Sequence, residues 1–361
     1  MKSMHDFISR KAAVENSGDN YGVEAVANSG TIIVNQGLDY SSTKALCLDV
    51  VRDALDKYKE EAYKEAEQRC KELFDMFAAE LLEQGMTDAQ ALAEFREPAM
   101  QFDYAEAQKA YIKAGAPELA AVLSKILADR IGESSRSLLQ IALGEAIQVA
   151  PKLLETQMAT LALIFILKHT VRRNVNSHRT FVDYIQNTIL PIYRKGISRK
   201  EADFQHLNFT GCSQYLSVGQ ELSSLFLRSY SGLFMKGFEH CLSDGTNLVA
   251  MYPHLFTKCL NNSNLLQIDA MSQKTLTDLI ETLNMEQEHQ KKIKNLFTEN
   301  RMSEEAVQAL IVNLVPEMQE VFDYWNNSGP FSLSLSSVGI VIGAEYAKLI
   351  TRENYDLSIW I

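Results

Sequence analysis

From Ser41 or Ser42, either a suitable N-cap, apolar positions recur every three or four residues through Val51, Leu55, Tyr58, Ala62, Ala66, Cys70, Leu73 and Phe77. That spacing puts them on one face of a helix running without Pro or Gly to Gly85, roughly 60 Å at 1.5 Å per residue. The opposite face carries Lys57, Lys59, Glu60, Lys64, Glu67 and Lys71, a solvated surface. Such a rod is either a coiled-coil arm between subunits or the spine of a helical domain.

Punctuation after Gly85 predicts further helices. Pro98 and Pro117 suit first turns, Gly115 and Gly132 suit ends, and Ser134 or Ser135 opens a helix to about Val149. A helix from Pro151 through Lys168 is apolar all round between Leu161 and Leu167, which places it centrally in the core. Another follows around Phe181 to Tyr193. Residues 204–268 are richer in Gly, Ser, Asn and aromatics and read as short helices and loops. Periodicity returns at Lys274 to Met285, Glu288 to Phe297 and Ser303 to Trp325, the last interrupted by Pro316. In the helix from Ser336 to Ile350, Gly339, Gly343 and Ala347 lie four apart and permit close backbone approach.

Both ends read as β. Ile32, Ile33, Val34 and Asn35 lie in a β-branched run bounded by turn clusters such as Asn28 to Gly30 and Asn35 to Gly37. With no partner strand nearby, the run either pairs with copies of itself or belongs to a disordered tail. The tail from Tyr355 to Ile361 alternates and ends on Trp360 and Ile361, suggesting a terminal strand with a buried end. The expected fold is mainly α and multi-helical, with a short N-terminal β segment and a C-terminal strand. Its divisions are an assembly segment over residues 1–38, a helical domain over 39–175 and a mainly helical domain over 176–361.

Composition changes this picture little. Of 361 residues, 46% are hydrophobic and 22% charged, values of an ordinary globular chain. Five irregularly placed cysteines do not form a disulfide framework. No signal sequence and no membrane-length apolar run is visible, so the expected location is the cytoplasm, away from the membrane.

The net charge of −11 disfavours a surface that tracks nucleic acid throughout. Residues 168–200 depart from it, with eight cations against Asp183. Besides Lys168, these are Arg172, Arg173, Arg179, Arg194, Lys195, Arg199 and Lys200, candidate contacts to phosphate or to a protein partner. Acidic residues over 39–110 offer an alternative, intramolecular or intersubunit set of partners.

Taken together, the ending Ile33 to Gly37 of the first segment, the opening Leu38 to Ser41, Ala150 to Leu153, Gly232 to Phe234, Lys236 to Phe238, Val338 to Ile340 and Asp356 to Ile361 resemble a little-characterised family. Its members are bacterial cytoplasmic proteins from mobile and defence-associated gene neighbourhoods. The resemblance implies a portable assembly or docking device at the N-terminus, and it implies no catalytic residues.

The motifs of P-loop, dinucleotide-binding, zinc-protease and α/β-hydrolase enzymes are missing from the sequence. His240, Cys241, His254 and Cys259 are the densest thiol and imidazole group, without the paired spacing of a zinc site. Cys212 and His206 form an imaginable nucleophile pair, against the simpler reading of a structural cysteine. No residue is assigned to catalysis, to a cofactor or to a metal. The expected role is a homo-oligomeric sensor or scaffold in phage defence or a related conflict system, with a further protein partner admitted. The alternative is a nucleic-acid-directed effector enzyme using residues 168–200.

Overall fold

A computed structural model describes residues 40–87, 93–133, 136–239 and 247–361. Ile32, Ile33, Val34 and Asn35, with the rest of the expected N-terminal β segment, lie outside the described residues. By its contacts the chain divides into residues 1–60 and residues 61–361.

The first helix, α1, spans Tyr40–Glu83, so it opens just ahead of Ser41. Among the described side chains of its expected apolar face, the buried ones lie near its end. Leu73, Phe77 and Leu81 are core residues, whereas Tyr58 and Ala62 are exposed. The reason lies in what covers it: the rings of Phe95 and Tyr104 meet Phe77 at 6.0 and 5.7 Å.

Local signals set the next elements. Pro98 and Pro117 occupy first turns of α2 (Pro98–Ala114) and α3 (Pro117–Gly132). Gly115 ends α2 at φ +61°, where a Cβ would also strike the Arg69 guanidinium at 2.5 Å. That guanidinium donates to the Ile112 carbonyl at 2.7 Å, satisfying an otherwise orphaned helix end. α4 (Leu138–Val149) is capped by Ser137, not by Ser134 or Ser135, which lie outside the described residues. Pro151 does not open the core helix either. Ala150–Lys152 closes a 3₁₀ turn, and α5 (Glu155–Ile164) begins after the extended Leu154. α5 is buried on all sides and runs into a π turn, Phe165–His169.

The following segment holds α6 (His178–Tyr184), a π turn (Ile185–Ile189), α7 (Leu190–Arg194) and α8 (Glu201–Phe209). After them come β1 (Ser213–Tyr215), α9 (Leu222–Ser229), α10 (Leu248–Met251), β2 (Phe256–Lys258) and β3 (Leu266–Ile268). Then follow α11 (Gln273–Thr282), α12 (Gln287–Glu299), α13 (Glu304–Leu314) and α14 (Met318–Asn326). The α13–α14 break falls at Pro316, preceded by Val315 in extended conformation, as the ring requires of its neighbour. The last elements are β4 (Leu333–Leu335) and α15 (Ser337–Thr351). β1 pairs antiparallel with β4, Ser213 opposite Leu335, and β2 with β3, Phe256 opposite Ile268. The fold is mainly α.

α15 is the centre of the large core and packs against α5, α4 and α3. A second hydrophobic cluster runs from Met235 to Phe297. The expected C-terminal strand is absent: Leu357–Ile359 forms a 3₁₀ turn. Asp356 causes it, its carboxylate accepting from the Ser358 backbone N–H at 3.1 Å and hydroxyl at 2.6 Å. Leu357 is buried, Ile359 is exposed, and Trp360 and Ile361 are half-buried.

Candidate functional site

Lys168 is the first charged residue after the apolar run of α5, so the chain leaves the core there. Past His169 the backbone becomes extended at Thr170 and carries Arg172 and Arg173 before Ser177 caps α6. This exit forms one wall of a cleft of about 1200 Å³. The end of α9 supplies Arg228 and the following Tyr230, the start of α11 supplies Lys274, and the C-terminal tail supplies Glu353, Tyr355 and Trp360.

Five Lys and Arg side chains line the cleft, against the two carboxylates Asp278 and Glu353. Glu353 is committed to Arg172 through an ion pair, while its other oxygen accepts from the Tyr355 hydroxyl at 3.1 Å. Arg172 also donates to the Thr188 hydroxyl at 2.7 Å and lies over the Tyr184 ring at 5.3 Å. Its backbone N–H donates to the Tyr230 hydroxyl at 2.8 Å. Burial and the nearby Tyr230 push the Tyr184 phenol well above its usual range, so it stays neutral. Arg172 is thus a structural cation.

Lys168 is different. Its ammonium donates to the carbonyls of Leu333 at 2.6 Å and Phe331 at 3.3 Å and lies 5.3 Å from the Trp325 ring centroid. It has no carboxylate partner among the described residues, and burial, with the charge of Arg228, pulls its pKa down to about 8. His169 is also pushed down, by burial and then by Lys168 and Arg228. Its Nε2 is buried without a hydrogen-bond partner.

The cations singled out from the sequence divide into two groups. Arg172 and Arg173 line the cleft; Arg179, Arg194, Lys195, Arg199 and Lys200 do not. Arg194 pairs with Glu317. Arg199 donates to the Tyr193 hydroxyl at 3.1 Å and lies over the Tyr324 ring. Arg179, Lys195 and Lys200 are exposed and make no ion pair among the described residues. The acidic stretch 39–110 finds other partners within the chain: Glu80 holds Lys125 at 2.6 Å and Asp103 holds Arg130 at 3.1 Å. Arg228, Lys274 and Glu353 carry no local signature and reach the cleft only through tertiary packing.

Other candidate chemistry is not assembled. His206 Nδ1 is engaged by Gln157 at 3.1 Å. The Cys212 thiol is buried, accepts from Thr210 at 3.6 Å and is pushed up by burial, the reverse of an activated nucleophile. His254 is exposed and Cys259 buried, while His240 and Cys241 lie outside the described residues. Among the described residues no group of three or more His, Cys, Asp or Glu converges to hold a metal, and no helix is long and apolar enough to cross a membrane.

A second feature is the apolar surface of α1. Leu48 is 54% exposed, Tyr58 55% and Tyr63 71%, on a helix otherwise rich in charge.

Residues 37–361 match a protein family designated only as ":-like". No curated protein and no solved structure matches the chain.

Proposed function

The chain belongs to that uncharacterised family through residues 37–361, and from this premise we propose that it is a homo-oligomeric assembly protein. It acts as a sensor or scaffold in the bacterial cytoplasm, in phage defence or a related conflict system. The observation that supports this reading is the apolar surface of α1. Large apolar side chains on a long charged helix are costly to leave in water, and association with a second helix removes them from it. Helices rarely persist at this length without packing of an apolar face. A second copy of the same helix supplies that packing.

Light scattering on the full chain tests the reading. Wild type is expected to have the mass of a multimer, and Leu48→Gln, Tyr58→Gln and Tyr63→Gln combined to lower it with helical circular dichroism intact. Removal of residues 1–38 is a separate arm, which assigns any share carried by the N-terminal segment. A monomeric wild-type protein refutes self-association, and an unchanged multimer in both variants refutes its assignment to α1 and to residues 1–38.

A further inference from the structure

The cleft beside α5 has an imbalance that the folded chain does not itself relieve. Lys168, Arg173, Arg228 and Lys274 line it without an ion pair among the described residues, and Arg172 is already neutralised by Glu353. Burial first, and then the charge of Arg228, depress Lys168; burial, and then Lys168 and Arg228, depress His169. Like charges gathered in a concavity oppose one another, and an anion reverses the sign. His169 adds an independent sign: its Nε2 is buried and unpartnered, which is uncommon in a folded interior.

The cleft is also partly apolar. Val171 is 57% and Ile359 70% exposed although both line it, beside Trp360. A bare inorganic anion leaves these side chains uncovered. A ligand with an anionic end and a flat, less polar end covers both. The volume of about 1200 Å³ exceeds that of most drug-sized pockets and gives room for such a molecule. Arg194, Lys195, Arg199 and Lys200 do not line the cleft, so its cations do not continue into a track for a polymer backbone.

We propose that this cleft is a binding site for a nucleoside phosphate. The phosphates sit between Arg173, Arg228 and Lys274, where Arg supplies paired donors and Lys a point charge. The base lies against Val171, Ile359 and Trp360, with His169 in the same wall. This site is independent of self-association through α1.

The experiment is calorimetric titration of the full chain with ADP, GDP, CDP and UDP, with the matching nucleosides, pyrophosphate and a twelve-residue oligothymidylate as further probes. At least one nucleotide is expected to bind, with its nucleoside and pyrophosphate each about tenfold weaker or more, about 1.4 kcal/mol. Arg173→Gln, Arg228→Gln and Lys274→Gln combined should weaken that nucleotide by at least about tenfold while melting as wild type does, because all three side chains are exposed. Arg228→Lys should retain part of the affinity. Absence of binding by all four nucleotides overturns the proposal, as does equal binding by the triple variant. Pyrophosphate binding as tightly as any nucleotide makes the cleft a plain anion site, and a tighter oligothymidylate makes it a strand site; either result overturns it too. A change in oligomer mass alone leaves every one of these outcomes readable.

Discussion

Gly339 stands so close to the carbonyl of Cys212 that a Cβ at this position would lie 1.9 Å from the oxygen. The same carbonyl accepts from the Ser336 backbone N–H at 3.0 Å, and the Ser336 hydroxyl caps α15 at the Gly339 N–H. One turn later a Cβ on Gly343 would lie 2.7 Å from the Leu161 carbonyl oxygen on α5. The two glycines therefore allow the central helix to meet main chain directly.

Gly339→Ala is expected to destabilise strongly. Overpacking a core costs about 1–3 kcal/mol, and the obstacle here is backbone, which has no rotamer to change. Thermal melting should fall by several degrees in Gly339→Ala and by less in Gly343→Ala, whose clash is milder. Wild-type melting of Gly339→Ala would show that the loop before β1 gives way freely.

The tail is held by contacts other than strand pairing. The Trp360 ring meets Phe165 edge to face at 5.0 Å, and its indole N–H donates to the His169 carbonyl at 2.8 Å. An aromatic pair contributes about 0.5–1.5 kcal/mol beyond area burial, and a hydrogen bond about 1 kcal/mol. Truncation after Ser358 should therefore lower the midpoint of urea unfolding, with Trp360→Phe lying between truncation and wild type. Coincident unfolding curves for all three would mean that the tail contributes nothing.

How much was legible depended on whether the cause was local. Pro98, Pro117, Gly115, Ser303 and Pro316 act on the turn in which they sit, and each stands where its chemistry predicts. The tail misleads because alternation from Tyr355 to Ile361 resembles a strand until Asp356 accepts from Ser358 and closes a turn. α1 was legible in part: periodicity shows that a face exists, and only the fold shows that Phe95 and Tyr104 cover its far end. For the cleft, the contiguous Lys168 to Arg173 run was visible, but Arg228, Lys274 and Glu353 are more than fifty residues away. The acidic stretch 39–110 was a plausible partner for the basic segment by charge alone, yet Glu353 and Glu317 are the partners that packing brings within reach.

The basic segment should accordingly split by substitution. Arg172→Ala removes the partner of a half-buried Glu353 and a donor to buried Thr188, a loss of about 1–3 kcal/mol. Arg194 and Glu317 are both more than half exposed, so Arg194→Ala should cost about 0–1 kcal/mol. Arg173→Ala and Lys200→Ala, at exposed side chains, should stay within about 0.5 kcal/mol of wild type. Urea unfolding of the four single variants gives the ranking, and equal losses at all four positions would contradict it.

Glu345 carries the pH prediction. It is 1% exposed on α15, and its charged neighbours are Asp129 and Lys125 of α3, Lys348 of α15 and, through both lysines, Glu80 of α1. Lys348 lies 3.7 Å from Glu345, 3.7 Å from Asp129 and 4.0 Å from Glu80, and Lys125 is held by Glu80 at 2.6 Å. Burial first, and then the charge of Asp129, push the Glu345 carboxyl well above its ordinary range, with Lys348 and Lys125 opposing. The folded chain therefore retains a proton that the unfolded chain releases near the ordinary carboxyl value of 4.5. Stability from this group is complete below that value and is lost as pH rises toward the folded pKa, by at most about 1.4 kcal/mol per pH unit. Glu345→Gln keeps the shape and the donor to Asp129 but releases no proton. Its melting temperature should match wild type near pH 4 and exceed it by a margin that widens toward pH 8, roughly 2 °C for each kcal/mol in a chain of this size. A margin that is flat, or that narrows as pH rises, would mean that Glu345 is ionised in the folded protein and that Lys348 outweighs its burial.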